Sequence, residues 1–117
     1  MICDTGHNED GIREVVSQIK ALQYSRLHIV WGSVKDKDIS RMLALLPVEA
    51  TYYFCQAKIP RALPAMELES KARKVGLKGE VIEDVNDAIG RAKTMASPDD
   101  FIFIGGSTFV VAEIENL

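Results

Sequence analysis

Phe101-Ile102-Phe103-Ile104-Gly105-Gly106-Ser107 is the stretch that decides the fold. Aromatic and β-branched residues in unbroken succession suit a strand, and the lack of alternation means that both of its faces must be covered. The two glycines and the serine then form a tight turn into a further helical segment, expected over Thr108–Leu117. Leu27-His28-Ile29-Val30-Trp31-Gly32 has the same character: a short β-rich run closed by glycine.

Around these two runs the chain alternates between periods. Ile2–Asp4 reads as the end of a first strand. Glu9–Tyr24 follows with Ile12, Val15, Val16, Ile19 and Leu22, the spacing of an amphipathic helix. A second helix is expected over Asp38–Leu46, stopped by Pro47, and a third strand over Thr51–Cys55. Then come a helix from Ala65 to Val75 ending near Gly76, a strand at Glu80–Ile82, and a helix over Val85–Met95 capped by Asp84. Strands that alternate with helices, two of them almost wholly apolar, imply a doubly wound α/β domain. The expectation is a three-layer, Rossmann-like fold with a mostly parallel sheet and helices on both faces. The expected strand order is of the 3-2-1-4-5 type, with an antiparallel edge.

A chain of 117 residues supports one domain with its own core. Fourteen basic against seventeen acidic residues (net −3) argue against a nucleic-acid or anionic-membrane surface, which shows as a basic excess. No run approaches the roughly 18 apolar residues of a membrane span. Cys3 and Cys55 lack C-x-x-C spacing and favour a reducing, cytoplasmic setting.

In such sheets ligands bind beyond the carboxyl ends of the strands. Four turns qualify: Asp4–Asn8, Gly32–Asp38, Gln56–Pro64 and Gly105–Thr108. Asp4 either accepts from a ribose hydroxyl or a cation, or simply caps its turn. His7 is either a proton carrier or phosphate donor, or a structural hydrogen-bonder. Cys3, Asp4 and His7 do not complete a metal set, so no metal site is assigned. Lys35 and Lys37 either pair with an anion or belong to a solvated loop with Asp38 as cap. Ser107 offers a hydroxyl beside glycines that let a ligand approach the backbone. His28, inside a strand, reads as structural, and Tyr52-Tyr53-Phe54 as sheet core. No G-x-x-x-x-G-K-[ST], G-x-G-x-x-G after the first strand, or G-x-S-x-G is present.

These turns resemble, in order, those of one family. Asp4-Thr5-Gly6-His7-Asn8 resembles the D-G-A-H-N-P turn in the carboxyl-terminal domain of folylpolyglutamate synthase/dihydrofolate synthase, a branch of the Mur ligase superfamily. Gly11-Ile12 opens the following helix as in the family. Gly32 with Asp36-Lys37-Asp38 resembles its glycine-then-D-K-D turn, Ile59-Pro60-Arg61-Ala62-Leu63-Pro64 its proline- and arginine-containing segment, and Gly105-Gly106-Ser107 its closing G-S turn. Thr5, Gly6 and Glu9 depart from the glycine, alanine and proline of the first motif.

The resemblance implies one domain over residues 1–117, a carboxyl-terminal ligase domain. The nucleotide-binding domain would lie in cis, amino-terminal to it and outside this chain. The reaction implied is ATP-dependent: a folate or dihydropteroate carboxylate is phosphorylated, and L-glutamate displaces the phosphate to form an amide. ATP and Mg²⁺ would be held mainly by the other domain, and the 117 residues alone would be inactive. Carried over by position, Asp4 and Asn8 would contact ATP, His7 would act near the reacting centre, and Lys37 and Ser107 would hold the incoming amino acid. Other readings are another Mur-type amino-acid ligase, a non-catalytic nucleotide- or ligand-binding module, and a structural interaction domain.

Overall fold

Both faces of the sheet are apolar because side chains alternate along strands that have helices above and below. The computed structural model describes residues 2–3, 9–35 and 39–114. The elements are β1 (Ile2–Cys3), α1 (Glu9–Lys20), β2 (Leu27–Trp31), α2 (Ile39–Leu43), β3 (Thr51–Gln56), α3 (Ala65–Lys74), β4 (Lys78–Asp84), α4 (Val85–Met95), β5 (Phe101–Gly105) and α5 (Thr108–Ala112). On one face Leu27, Ile29 and Trp31 of β2, Tyr52 and Phe54 of β3, and Phe103 of β5 pack against α1, α2 and α3. On the other, Val30, Tyr53, Cys55 and Ile104 pack against Val85, Ala88, Ile89 and Ala92 of α4 and Val110 of α5. This is the expected three-layer arrangement.

The helical stripe of α1 is the one its spacing dictates: Ile12, Val15, Val16 and Ile19 are buried. Each such burial contributes about 1.5–3 kcal/mol relative to exposure. The helix stops at Lys20, four residues short of expectation, as Ala21 and Leu22 turn back through bonds to the carbonyls of Gln18 and Ile19. Likewise α2 proper covers only Ile39–Leu43, and its expected continuation to Leu46 is a tightened turn, with Leu45 and Leu46 donating to Met42 and Leu43. α5 ends at Ala112; the last three residues of its expected span lie outside the described residues. Asp84 caps α4, its carboxylate accepting from Asp87 N at 2.9 Å.

The strand order corrects the expectation. It is β1-β5-β2-β3-β4, and every strand pair is parallel, with no antiparallel edge among the described residues. The apolar β5 sits between β1 and β2, where both neighbours and both faces cover it. The exposed, charged β4 takes one edge, where lysine and glutamate discourage further pairing, and the two-residue β1 takes the other. The connection through α4 therefore carries the chain back past β3 and β2 on the opposite face from α2 and α3.

Candidate functional site

The chain leaves β2 toward α2 on one face and leaves the adjacent β5 toward α5 on the other. Neighbouring parallel strands whose connections diverge open a crevice at their carboxyl ends, the usual ligand position in such sheets. Gly32 and Gly105 meet there, with Gly32 N donating to Gly105 O at 3.3 Å. Gly106 follows with φ +106°, a left-handed conformation that glycine adopts without a steric penalty. A Cβ at Gly106 would stand 2.1 Å from the Gly32 carbonyl oxygen, so the two turns fit only as glycines.

A third turn joins them. Val34 and Ala62 form an antiparallel bridge, Lys35 N donates to Arg61 O at 2.8 Å, and Leu63 N donates to Ser33 O at 2.9 Å. Backbone bonds thus hold the Ile59–Pro64 connection against the turn after β2. Pro64 at the start of α3 supplies no side-chain cap, and Gln56 at the end of β3 takes that role, its Oε1 accepting from Ala65 N at 2.9 Å. No local pattern marks this cap, because its acceptor lies nine residues before the donor, across a loop.

Ser107 is buried, and its Oγ accepts from Val110 N at 3.2 Å, capping α5. An accepting hydroxyl keeps its own proton to donate. Lys35 is exposed at the rim. Asp4, His7 and Asn8 lie outside the described residues, as do Lys37 and the expected cap Asp38. The backbone that flanks the first group is described: Cys3 pairs with Ile104 in β5, and α1 starts at Glu9. Of the four expected turns, the structure brings three together, those after β2, β3 and β5.

Around this end Lys58 pairs with Asp84 at 3.2 Å, and Lys58 N donates to a carboxylate oxygen of Glu113. The Asp87 backbone N–H first, and then Lys58, hold the Asp84 carboxyl below the usual carboxylate range. Burial pushes the Cys55 thiol up to about 12, so it stays protonated and inert near neutral pH. Among the described residues no His, Cys, Asp and Glu side chains gather as a metal-ligand group.

The opposite, amino end of the sheet holds a polar network that sequence reasoning missed. His28 Nδ1 bonds Tyr53 Oη at 2.9 Å and its Nε2 bonds Asp100 Oδ2 at 2.8 Å. Ser97 N donates to the same carboxylate, and Arg26 Nε lies 3.4 Å from it. His28 is structural, as expected of a histidine within a strand. Its partner lies 72 positions away, which no local pattern reveals. No helix among the described residues is long and apolar enough to cross a membrane.

The family described as Mur ligase, glutamate ligase domain, matches residues 1–108. A probable bifunctional folylpolyglutamate synthase/dihydropteroate synthase of Haloferax volcanii is 34% identical over 116 residues, covering 97% of this chain and 14% of that protein. The UDP-N-acetylmuramoyl-L-alanyl-D-glutamate–2,6-diaminopimelate ligase of Caldanaerobacter subterraneus subsp. tengcongensis is 30% identical over 111 residues, covering 88% of this chain and 23% of that enzyme. Among solved structures, E. coli FolC in complex with DHPP and ADP superposes with a TM-score of 0.84 at 28% identity, over 93% of this chain and 26% of that one. The chain thus spans about a quarter or less of the length of each of these three relatives.

Proposed function

The chain belongs to the Mur ligase family as its glutamate ligase domain, and on that premise we propose that it works within an ATP-dependent amide ligase that adds L-glutamate to a folate or dihydropteroate carboxylate. The observation that carries the reading is the meeting of three loops at the switch point between β2 and β5, in a chain 34% identical to a probable folylpolyglutamate synthase. The carboxylate oxygen attacks the γ-phosphorus of ATP, and ADP leaves. The glutamate nitrogen then attacks the acyl carbon, phosphate leaves, and the nitrogen gives up a proton as the amide forms.

Within that reaction Asp4 and Asn8 contact ATP and His7 stands near the reacting centre. Lys37 and Ser107 hold the carboxylates of the incoming amino acid. A dianionic amino acid needs a cation and oriented donors, and a lysine with a serine hydroxyl provides both. The phosphate-cradling loop and Mg²⁺ ligands belong to a further domain in cis, since this sequence has no G-x-x-x-x-G-K-[ST]. The 117 residues alone do not turn over. The setting is cytoplasmic.

The 30% identity to a diaminopimelate-adding ligase supports a second reading, with a different amino acid in the same crevice. Calorimetric titration with L-glutamate and with meso-diaminopimelate, each with ATP present, separates the two. Heat with L-glutamate alone is the expected result. Preference for diaminopimelate would transfer the chain to the second reading, and a measured glutamate-ligating turnover by the 117 residues would overturn the division of labour.

A further inference from the structure

Trp31 ends β2 inside the face covered by α1 and α2 and is 3% exposed. Its Nε1, a donor with no acceptor capacity, is buried and has no hydrogen-bond partner among the described residues. A buried donor left without an acceptor costs about 1–3 kcal/mol, and native proteins keep few of them. Trp31 also lines a small cavity of about 20 Å³, together with Ile12, Ser33, Ile39, Met42, Leu43 and Gly106. A single water needs on the order of 10–15 Å³, so the space fits one oxygen atom and little more. Its walls come from α1, from α2 and from both glycine turns, placing it under the crevice where β2 and β5 end.

We infer that this cavity is a binding site for one hydrogen-bond-accepting oxygen, held by the Trp31 indole N–H with Ser33 as the second polar wall. A charged oxygen does not suit it, because among the described residues the other lining side chains are aliphatic or the Met42 thioether and none of them is a cation. Two sources share the required chemistry: a resident water, or a neutral carbonyl or hydroxyl oxygen of a bound substrate. Only the second source rests on the ligase reading.

The chain has one tryptophan, so a ¹⁵N-labelled sample shows one indole N–H resonance that needs no assignment. In the ligand-free protein a dipolar cross-peak between that proton and water identifies a resident water. The cross-peak persists on adding L-glutamate or ATP-Mg²⁺ if water is the permanent occupant. Its loss, with a shift of the indole resonance on adding either compound, identifies the substrate oxygen instead. Absence of the cross-peak, with an indole resonance unmoved by both compounds, would overturn the inference. Backbone amides of Gly105–Ser107 report on the ligase reading in the same spectra, so a failure of that reading is seen separately.

Discussion

Gly32 and Gly106 meet backbone to backbone: a Cβ on Gly106 would stand 2.1 Å from the Gly32 carbonyl oxygen. The contact locks the turn after β2 to the turn after β5 at the point where their connections part. Gly106→Ala adds a clash to a φ of +106° that alanine rarely adopts. It is expected to destabilise the protein by about 3 kcal/mol. Urea unfolding checks this, with the midpoint lowered and the slope unchanged.

Ser107 separates two roles. Ser107→Ala removes the acceptor for Val110 N and should lower stability by about 1 kcal/mol through the lost cap. Ser107→Asp keeps a capping oxygen but replaces the donating hydroxyl with a negative charge. If Ser107 also donates to a ligand carboxylate, both variants weaken amino-acid binding, while only the alanine variant loses the cap. Chemical denaturation beside calorimetric titration reads the two effects independently.

The His28 network sets an acid limit. Tyr53→Phe removes the bond to His28 Nδ1 and should cost about 1 kcal/mol. The hydrogen bond from His28 first, and then that from Ser97 N, hold the Asp100 carboxyl below its ordinary value. A lowered folded-state pKa means that the unfolded chain takes up the proton first on acidification. The stabilisation is therefore complete above the ordinary aspartate range and is lost as pH falls through the folded-state value. Asp100→Asn should be less stable near neutral pH and show a shallower fall in stability on acidification, measured by thermal unfolding across acid pH.

How much of this was legible follows from the kind of interaction. Period and composition located α1, β2, β5 and the Asp84 cap, because each depends on residues close in sequence. Order in the sheet does not. Placing β5 beside β2 depends on which strands need covering on both faces, and the signal lay in contrast: Phe101–Ile104 carries no charge, whereas Lys78, Glu80, Glu83 and Asp84 mark an edge strand. The three loops of the crevice are legible one by one, each from its own glycine, proline or polar residues. Their joining through Val34 and Ala62 depends on backbone bonds that any side chain permits, so no residue type announced it.

Cys55 is fully buried, and its thiol is raised to about 12. In a Cys3→Ser background it should resist a thiol reagent at neutral pH and react fully only in denaturant. Rapid reaction of the native protein would show that the sheet opens locally at β3.

Amide shift mapping of the 117-residue chain during titration with ATP-Mg²⁺ and L-glutamate tests the central claim most directly. The account predicts changes concentrated at Gly32–Lys35, Ile59–Leu63 and Gly105–Ser107, the loops joined at the carboxyl end of the sheet. Changes centred on Arg26, His28 and Asp100 at the amino end, or none at millimolar ligand, would contradict it.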